Sequence, residues 1–178
     1  MKKTVLISIV FFLLISCVEV KFEEPQPHGV NAFKSIPKNF RGAYLLGDKD
    51  TVRITAKNFT FKKKKNGKPE LHELSDVFVL KKWQNTYFFN FKNEDDENWS
   101  VIFISKNKEK KLMLGYLAYS DKDSVEIEKL REITRLITIK NENDETEGYL
   151  IKPSKKELKQ IMKAISLKEL GEIRKIEE

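Results

Sequence analysis

The chain has 178 residues, of which 34 are Lys or Arg and 27 are Asp or Glu, for a net charge of +7. That length suits a single folded domain, which buries about two-thirds of the surface its unfolded chain exposes, so no covalent staple is needed. One cysteine excludes an internal disulfide, and the modest basic balance argues for solubility with at most weak attraction to polyanions.

Two lysines, Lys2 and Lys3, open the chain, and a nearly unbroken apolar run extends from Val5 to Ile15. The run is shorter than the roughly 20 apolar residues a membrane-spanning helix needs, but it suits the core of a signal peptide. It ends in Leu14-Ile15-Ser16-Cys17. The small Ser16 before the cysteine and the apolar Leu14 two places further upstream resemble the lipobox of bacterial lipoproteins with a type II signal peptide. The resemblance implies removal of residues 1–16, a diacylglyceryl thioether on Cys17, and acylation of the new amino terminus. Two or three chains such as palmitate anchor a protein stably, where a single chain binds only marginally. An ordinary secretory signal with a chance cysteine is the alternative. Acylation of Cys17 would leave the mature protein without a thiol, which removes cysteine catalysis and thiolate metal sites.

Residues 17–36 read as an acidic, proline-containing tether. Glu19, Glu23 and Glu24 flank few apolar residues, and Pro25-Gln26-Pro27-His28-Gly29 suits neither helix nor central strand. Paired prolines favour an extended, semi-stiff spacer. The acidic cluster so soon after the cysteine resembles the export signal of some surface-exposed lipoproteins of Gram-negative bacteria, with a solvated linker on a periplasm-facing protein as the alternative.

The segment 37–178 is expected to form one β-rich domain. Short runs with interleaved apolar and polar residues lie at Arg41 to Leu46, Thr51 to Ala56 and around Phe59 and Phe61. Asn66-Gly67 is a strong hairpin signal, because both central positions of a type I′ turn need positive φ. Leu71 to Leu74, Val77 to Trp83, Thr86 to Phe91, Trp99 to Ile104 and Leu112 to Tyr119 extend the series, rich in aromatic and branched residues. Phe88, Phe89 and Phe91 must occupy both faces of their strand, so one face is expected under a helix and the other enclosed. Further on, Val125, Ile127, Leu130, Ile133 and Ile137 have helical spacing, but Ile133 to Ile139 is β-rich, so a short helix passing into a strand is expected. Gly148 to Ile151 reads as a short strand. Ser154 with Glu157 forms a capping box, and Leu158, Ile161, Met162 and Ile165 make one apolar stripe. Ser166 and Glu169 suggest a further capped turn, with Ile173 and Ile176 in a last strand or frayed end. The predicted class is α+β, mainly β: seven to nine antiparallel strands in a curved meander or partly closed barrel, with a C-terminal helix. A lipocalin-like barrel is an architectural analogy only.

Chemical signals are sparse. Lys62–Lys65 with Lys68 concentrate charge near a hairpin tip and would meet phosphates, or simply discourage edge pairing. Glu94-Asp95-Asp96-Glu97 and Asn141–Glu147 offer oxygen ligands without the glycine and glutamate spacing of a calcium loop, so no metal is expected. His72, with Ser75 and Asp76 nearby, lacks the elbow of a serine hydrolase, and no glycine loop cradles a phosphate. No catalytic residue, cofactor or enzyme activity is predicted. Asp50-Thr51-Val52 and Asp123-Ser124-Val125 resemble a bacterial O-glycosylation signal, or are common turn pairs. The aromatics Trp83, Tyr87, Phe88, Phe89, Phe91, Trp99, Phe103, Tyr116 and Tyr119 form either a packed core or the wall of an apolar ligand cavity.

The whole chain resembles small, uncharacterised lipoproteins of the Gram-negative envelope. The expected function is a non-enzymatic interaction module held at the outer membrane, on its periplasmic or surface face, through acyl chains on Cys17. Its partners would be envelope proteins or glycans, and not nucleic acid. The alternative is a carrier of a small apolar ligand or lipid inside a barrel.

Overall fold

The computed structural model describes residues 17–46, 50–62, 69–93, 97–106, 109, 111–120, 124–165 and 168–176. Its strands are β1 (Cys17–Phe22), β2 (Gly42–Leu46), β3 (Asp50–Ile54), β4 (Asn58–Lys62), β5 (Glu70–Glu73), β6 (Phe78–Trp83) and β7 (Thr86–Lys92). They continue with β8 (Trp99–Lys106), β9 (Leu112–Tyr116), β10 (Ala118–Ser120), β11 (Leu136–Lys140), β12 (Thr146–Ile151) and β13 (Lys168–Ile176). Two helices, α1 (Ser124–Ile133) and α2 (Lys155–Ala164), and a 3-10 turn at Lys38–Phe40 complete the elements. The fold is α+β and mainly β, as the alternating sequence predicts. It holds 13 strands among the described residues, against the seven to nine expected, because β1 and the β11–β12 pair join the same sheet.

An antiparallel run β6-β7-β8-β9-β13-β2-β3-β4-β5 curves through the molecule without closing, since β5 and β6 are not ladder partners. A second path, β8-β1-β12-β11, branches from β8 and contains the one parallel pairing among the described strands, β1 with β12. Gly148 lets those two strands approach: a Cβ there would lie 3.1 Å from the Glu19 carbonyl oxygen. The β-ladder therefore departs from a simple meander, and β13 is inserted between β9 and β2.

Strands β7 and β8 are apolar on both faces, and each face has its own core. Phe88, Val101 and Phe103 join Leu130 of α1 and Leu158, Ile161 and Ile165 at α2. Phe89 and Ile104 face the other way, into a cluster with Tyr44, Val52, Ile54, Phe59, Leu114 and Ile173 from the curved sheet. Helix α2 starts where its capping box requires: Ser154 Oγ accepts from the Glu157 amide at 3.3 Å, and Glu157 Oε2 accepts from the Ser154 amide at 2.7 Å. It is not the last element. Glu169 lies in β13 rather than in a further helical turn, because residues 168–176 pair on both sides, with β9 and β2.

Residues 17–36 are not a tether. Val18 and Val20 are each 2 % exposed and Phe22 is fully buried, all three in the core beneath the helices. Glu19 to Phe22 pair with Gly148 to Ile151, while Cys17 to Glu19 pair with Ser120 to Ala118. The physical reason is visible in Val18-Glu19-Val20-Lys21-Phe22, an apolar-polar alternation that buries one strand face. The prolines follow as a docked segment. The buried Asn90 side chain accepts from the Gln26 amide at 2.6 Å and donates to the Gln26 carbonyl at 3.0 Å, and Lys81 Nζ donates to the carbonyls of Pro25 and Pro27. Phe33 N donates to Leu80 O, Ile36 N to Ala56 O, and the Ile36 side chain is fully buried. Truncation distinguishes this arrangement from a spacer. Phe22→Ala is expected to lower unfolding free energy by about 3–5 kcal/mol, as buried phenylalanine truncations do, read by urea denaturation; a solvated spacer would show no change.

Candidate cavity in the curved sheet

The interior of the curved sheet is filled at one end and open at the other. Register separates the two ends: Gly42 lies opposite Ile54, and Leu46 opposite Asp50. At the first end the docked segment plugs the space. Phe40 meets Tyr87 edge-on at 4.3 Å between ring centroids, Phe33 stacks on Tyr87 at 6.2 Å, and Tyr44 Oη donates to the Phe40 carbonyl at 2.8 Å. Arg41 Nε donates to the Ile36 carbonyl at 2.9 Å and holds the turn against the sheet.

Beyond Tyr44 and Ile54 lies a cavity of about 1070 Å³. Its walls are mostly apolar: Leu46, Val52, Phe59, Phe61, Phe78, Phe91, Ile102 and Leu114. The volume stands just above the range for small-molecule sites, roughly 300–1,000 Å³, and a few polar groups on apolar walls are their usual make-up. An aromatic group forms one side. Phe78 stacks on Phe91 at 4.8 Å with planes 10° apart, and Phe59 lies 5.7 Å from Phe89 and 6.1 Å from Phe91. His72 completes it, edge-on to Phe91 at 5.0 Å.

The polar lining comprises Glu19, Glu70, Glu73, Lys92, Asn93, Ser100 and Tyr116 together with His72 and Ser75. Ser100 Oγ donates to Glu19 Oε1 at 2.7 Å, so β1 and β8 are joined beside the cavity by a charge-assisted bond. Leu71 and Val77 also line the space, and at 61 % and 53 % exposed they carry apolar surface outward from it.

The residues singled out by sequence are scattered over this frame. Cys17 opens β1, two residues from the cavity-lining Glu19. His72 and Ser75 reach the same cavity, yet Ser75 Oγ accepts from the Val77 amide at 3.2 Å and the His72 ring packs among phenylalanines. Lys63–Lys65, Lys68, Asn66-Gly67, Glu94–Asp96 and Asp123 lie outside the described residues. Glu97 pairs with Lys92 at 3.7 Å. In the loop 141–145, Asn141 Oδ1 accepts from the amides of Asn143 and Glu145, and Lys140 pairs with Asp144 at 2.6 Å. Thr51 is exposed on β3, and Ser124 is the first residue of α1. Among the described residues no group of three or more His, Cys, Asp or Glu side chains is placed to hold a metal ion.

Of the aromatics, Phe88, Trp99 and Phe103 face the helices, Phe89 and Phe91 face the interior, and Tyr116 lines the cavity. The sequence reading missed Val52, Leu114 and the Glu19–Ser100 pair as cavity residues. The alternation of β3 and β1 was the available signal, but it marks a face and not what that face encloses.

Burial holds the Tyr44 phenol above the ordinary tyrosine pKa. Below pH of about 10 the phenol is neutral in both folded and unfolded chains. At higher pH the unfolded chain ionises first and binds fewer protons, so stability falls. Tyr44→Phe is expected to cost about 1 kcal/mol at pH 7 through the lost bond to Phe40, and to flatten the stability loss above pH 10 when unfolding is followed across pH.

The chain matches no protein-family model, no curated protein and no solved structure.

Proposed function

We propose that this chain is an envelope lipoprotein, anchored through acyl chains on Cys17, whose curved sheet binds a small apolar ligand or a lipid chain. The observation that carries the binding half of this reading is the cavity of about 1070 Å³ with predominantly apolar walls. A filled interior would have favoured a pure interaction module. An open one favours the carrier, because apolar walls left in contact with water are unfavourable until an apolar occupant covers them. The recognition it supports is by shape and burial, with Glu19, Glu70, Glu73, Lys92 and Ser100 available to orient a polar end.

The anchoring half rests on the sequence: Lys2 and Lys3, the apolar run and Leu14-Ile15-Ser16-Cys17. No helix among the described residues is long and apolar enough to cross a membrane.

Each half has its own test. Cells fed a labelled fatty acid are expected to label the wild-type protein and not Cys17→Ser; equal label on both removes the anchor. A fluorescent polyene fatty acid is expected to bind the protein, and Ile102→Trp, which fills the cavity from a partly buried position, to weaken binding at least tenfold. An unchanged affinity in a folded Ile102→Trp protein would place the probe elsewhere.

A further inference from the structure

We infer that the cavity is loaded from the bilayer to which the protein is anchored, and that its occupant is an acyl chain of a membrane phospholipid. This rests on the anchored-carrier reading and adds to it the source of the ligand and the geometry of its uptake.

The first ground is the absence of a spacer after the anchor residue. Cys17 is itself the start of β1, opposite Ser120 of β10. The next residue, Val18, is already in the core. Strand β1 is held on both edges, by β12 along Glu19 to Phe22 and by β10 and β8 on the other side. It cannot peel away as a flexible leash without exposing Val18, Val20 and Phe22 and breaking that ladder. A group covalently attached at Cys17 therefore keeps the folded domain at the membrane surface.

The second ground is where the anchor point stands relative to the cavity. Glu19 lines the cavity. A strand rises about 3.3 Å per residue, so residues 17 and 19 are roughly 7 Å apart. The cavity wall thus begins within about 7 Å of the residue that would carry the acyl chains, a distance comparable to the thickness of one headgroup layer.

The third ground is the apolar surface that continues out of the cavity. Leu71 and Val77 belong to its lining and are among the most exposed large apolar residues described. An acyl chain leaving the bilayer along such a surface stays in apolar contact, whereas a ligand arriving through water must first be dissolved there. Phospholipid is also the apolar compound present at highest local concentration around an anchored domain.

The test compares the native lipoprotein with a variant carrying 20 Gly/Ser residues inserted between Cys17 and Val18, both reconstituted in phosphatidylglycerol–phosphatidylethanolamine vesicles. Such a linker has a root-mean-square span of about 25 Å and lifts the domain off the surface. The vesicles contain a phospholipid with a photoreactive acyl chain, and crosslinked peptides are mapped by mass spectrometry. The native protein is expected to crosslink within the cavity, at Phe59, Phe91, Ile102 or Leu114, at least tenfold more than the linker variant. A water-borne polyene fatty acid is expected to bind both equally, which shows the cavity intact in each. Equal phospholipid crosslinking in the two proteins overturns loading from the adjacent bilayer and leaves the carrier reading standing. Failure of both to bind the fatty acid overturns the carrier reading and the inference with it. Recovery of the Cys17 acyl chain itself in the cavity overturns the assigned occupant.

Discussion

The structure depends on strand β8 being buried on both faces. Its neighbours are β7, β9 and, at Trp99, β1. Val101 and Phe103 point into one core and Ile104 into the other, while Ser100 and Ile102 on that second face are half-buried beside the cavity. Everything else in the fold covers one side or the other. Helices α1 and α2 with β1 and β12 cover the first, and the curved run from β9 through β5 wraps the second. Among the described residues the second covering is incomplete, and the incompleteness is the cavity.

The segment between β1 and β2 links the two cores. After Phe22 the chain crosses to the other side, passing Gln26 and ending in the plug of Phe33, Ile36 and Phe40. Prolines 25 and 27 lack an N–H, and their carbonyls find a partner in the Lys81 ammonium. Burial pulls the Lys81 pKa below its ordinary value, while the Glu24 carboxylate acts in the opposite direction. Burying a charge for two carbonyl partners is costly unless the geometry is fixed. Asn90 supplies that fixity, since its side chain also donates to the carbonyl of Val79 in β6 and to that of Phe88 in its own strand. The segment that leads to the plug is therefore held by a polar clasp on β6 and β7.

What the sequence shows and what it hides divide along the range of the interactions. Strand alternation at Val52-Arg53-Ile54, the two-faced run at Phe88 to Phe91 and the Ser154–Glu157 cap are local, and the structure holds each of them where the residues indicate. Val18 to Phe22 carried the same alternation. It was outweighed by Pro25 and Pro27, which are incompatible with a ladder but not with docking through side chains. The Gln26–Asn90 clasp joins residues 64 apart, and no pattern within either segment announces it. The placement of β13 between β9 and β2 has the same character, as does the cavity, whose size is a sum of volumes from many strands.

An unfilled interior needs a reason, because packing to full density is the ordinary state of a protein core. The material to fill this one is present. Phe59, Phe78 and Phe91 are large, but they lie along one wall at 4.8–6.3 Å and do not fill the volume in front of Val52, Ile102 and Leu114. The opposite end of the same interior is closed tightly by Phe33, Phe40, Tyr44 and Tyr87, so the sheet's curvature does not itself forbid filling. The contrast between the two ends is one of side-chain placement within one continuous sheet. An apolar occupant of the kind proposed would recover the contacts that the open end forgoes and, binding only the folded state, would add its binding free energy to the stability of the fold. The clasp stands apart from that open end: Asn90 and Lys81 fix the segment around Gln26 on the helix-side face of β6 and β7, so the docked segment is held by bonds that involve none of the residues lining the cavity.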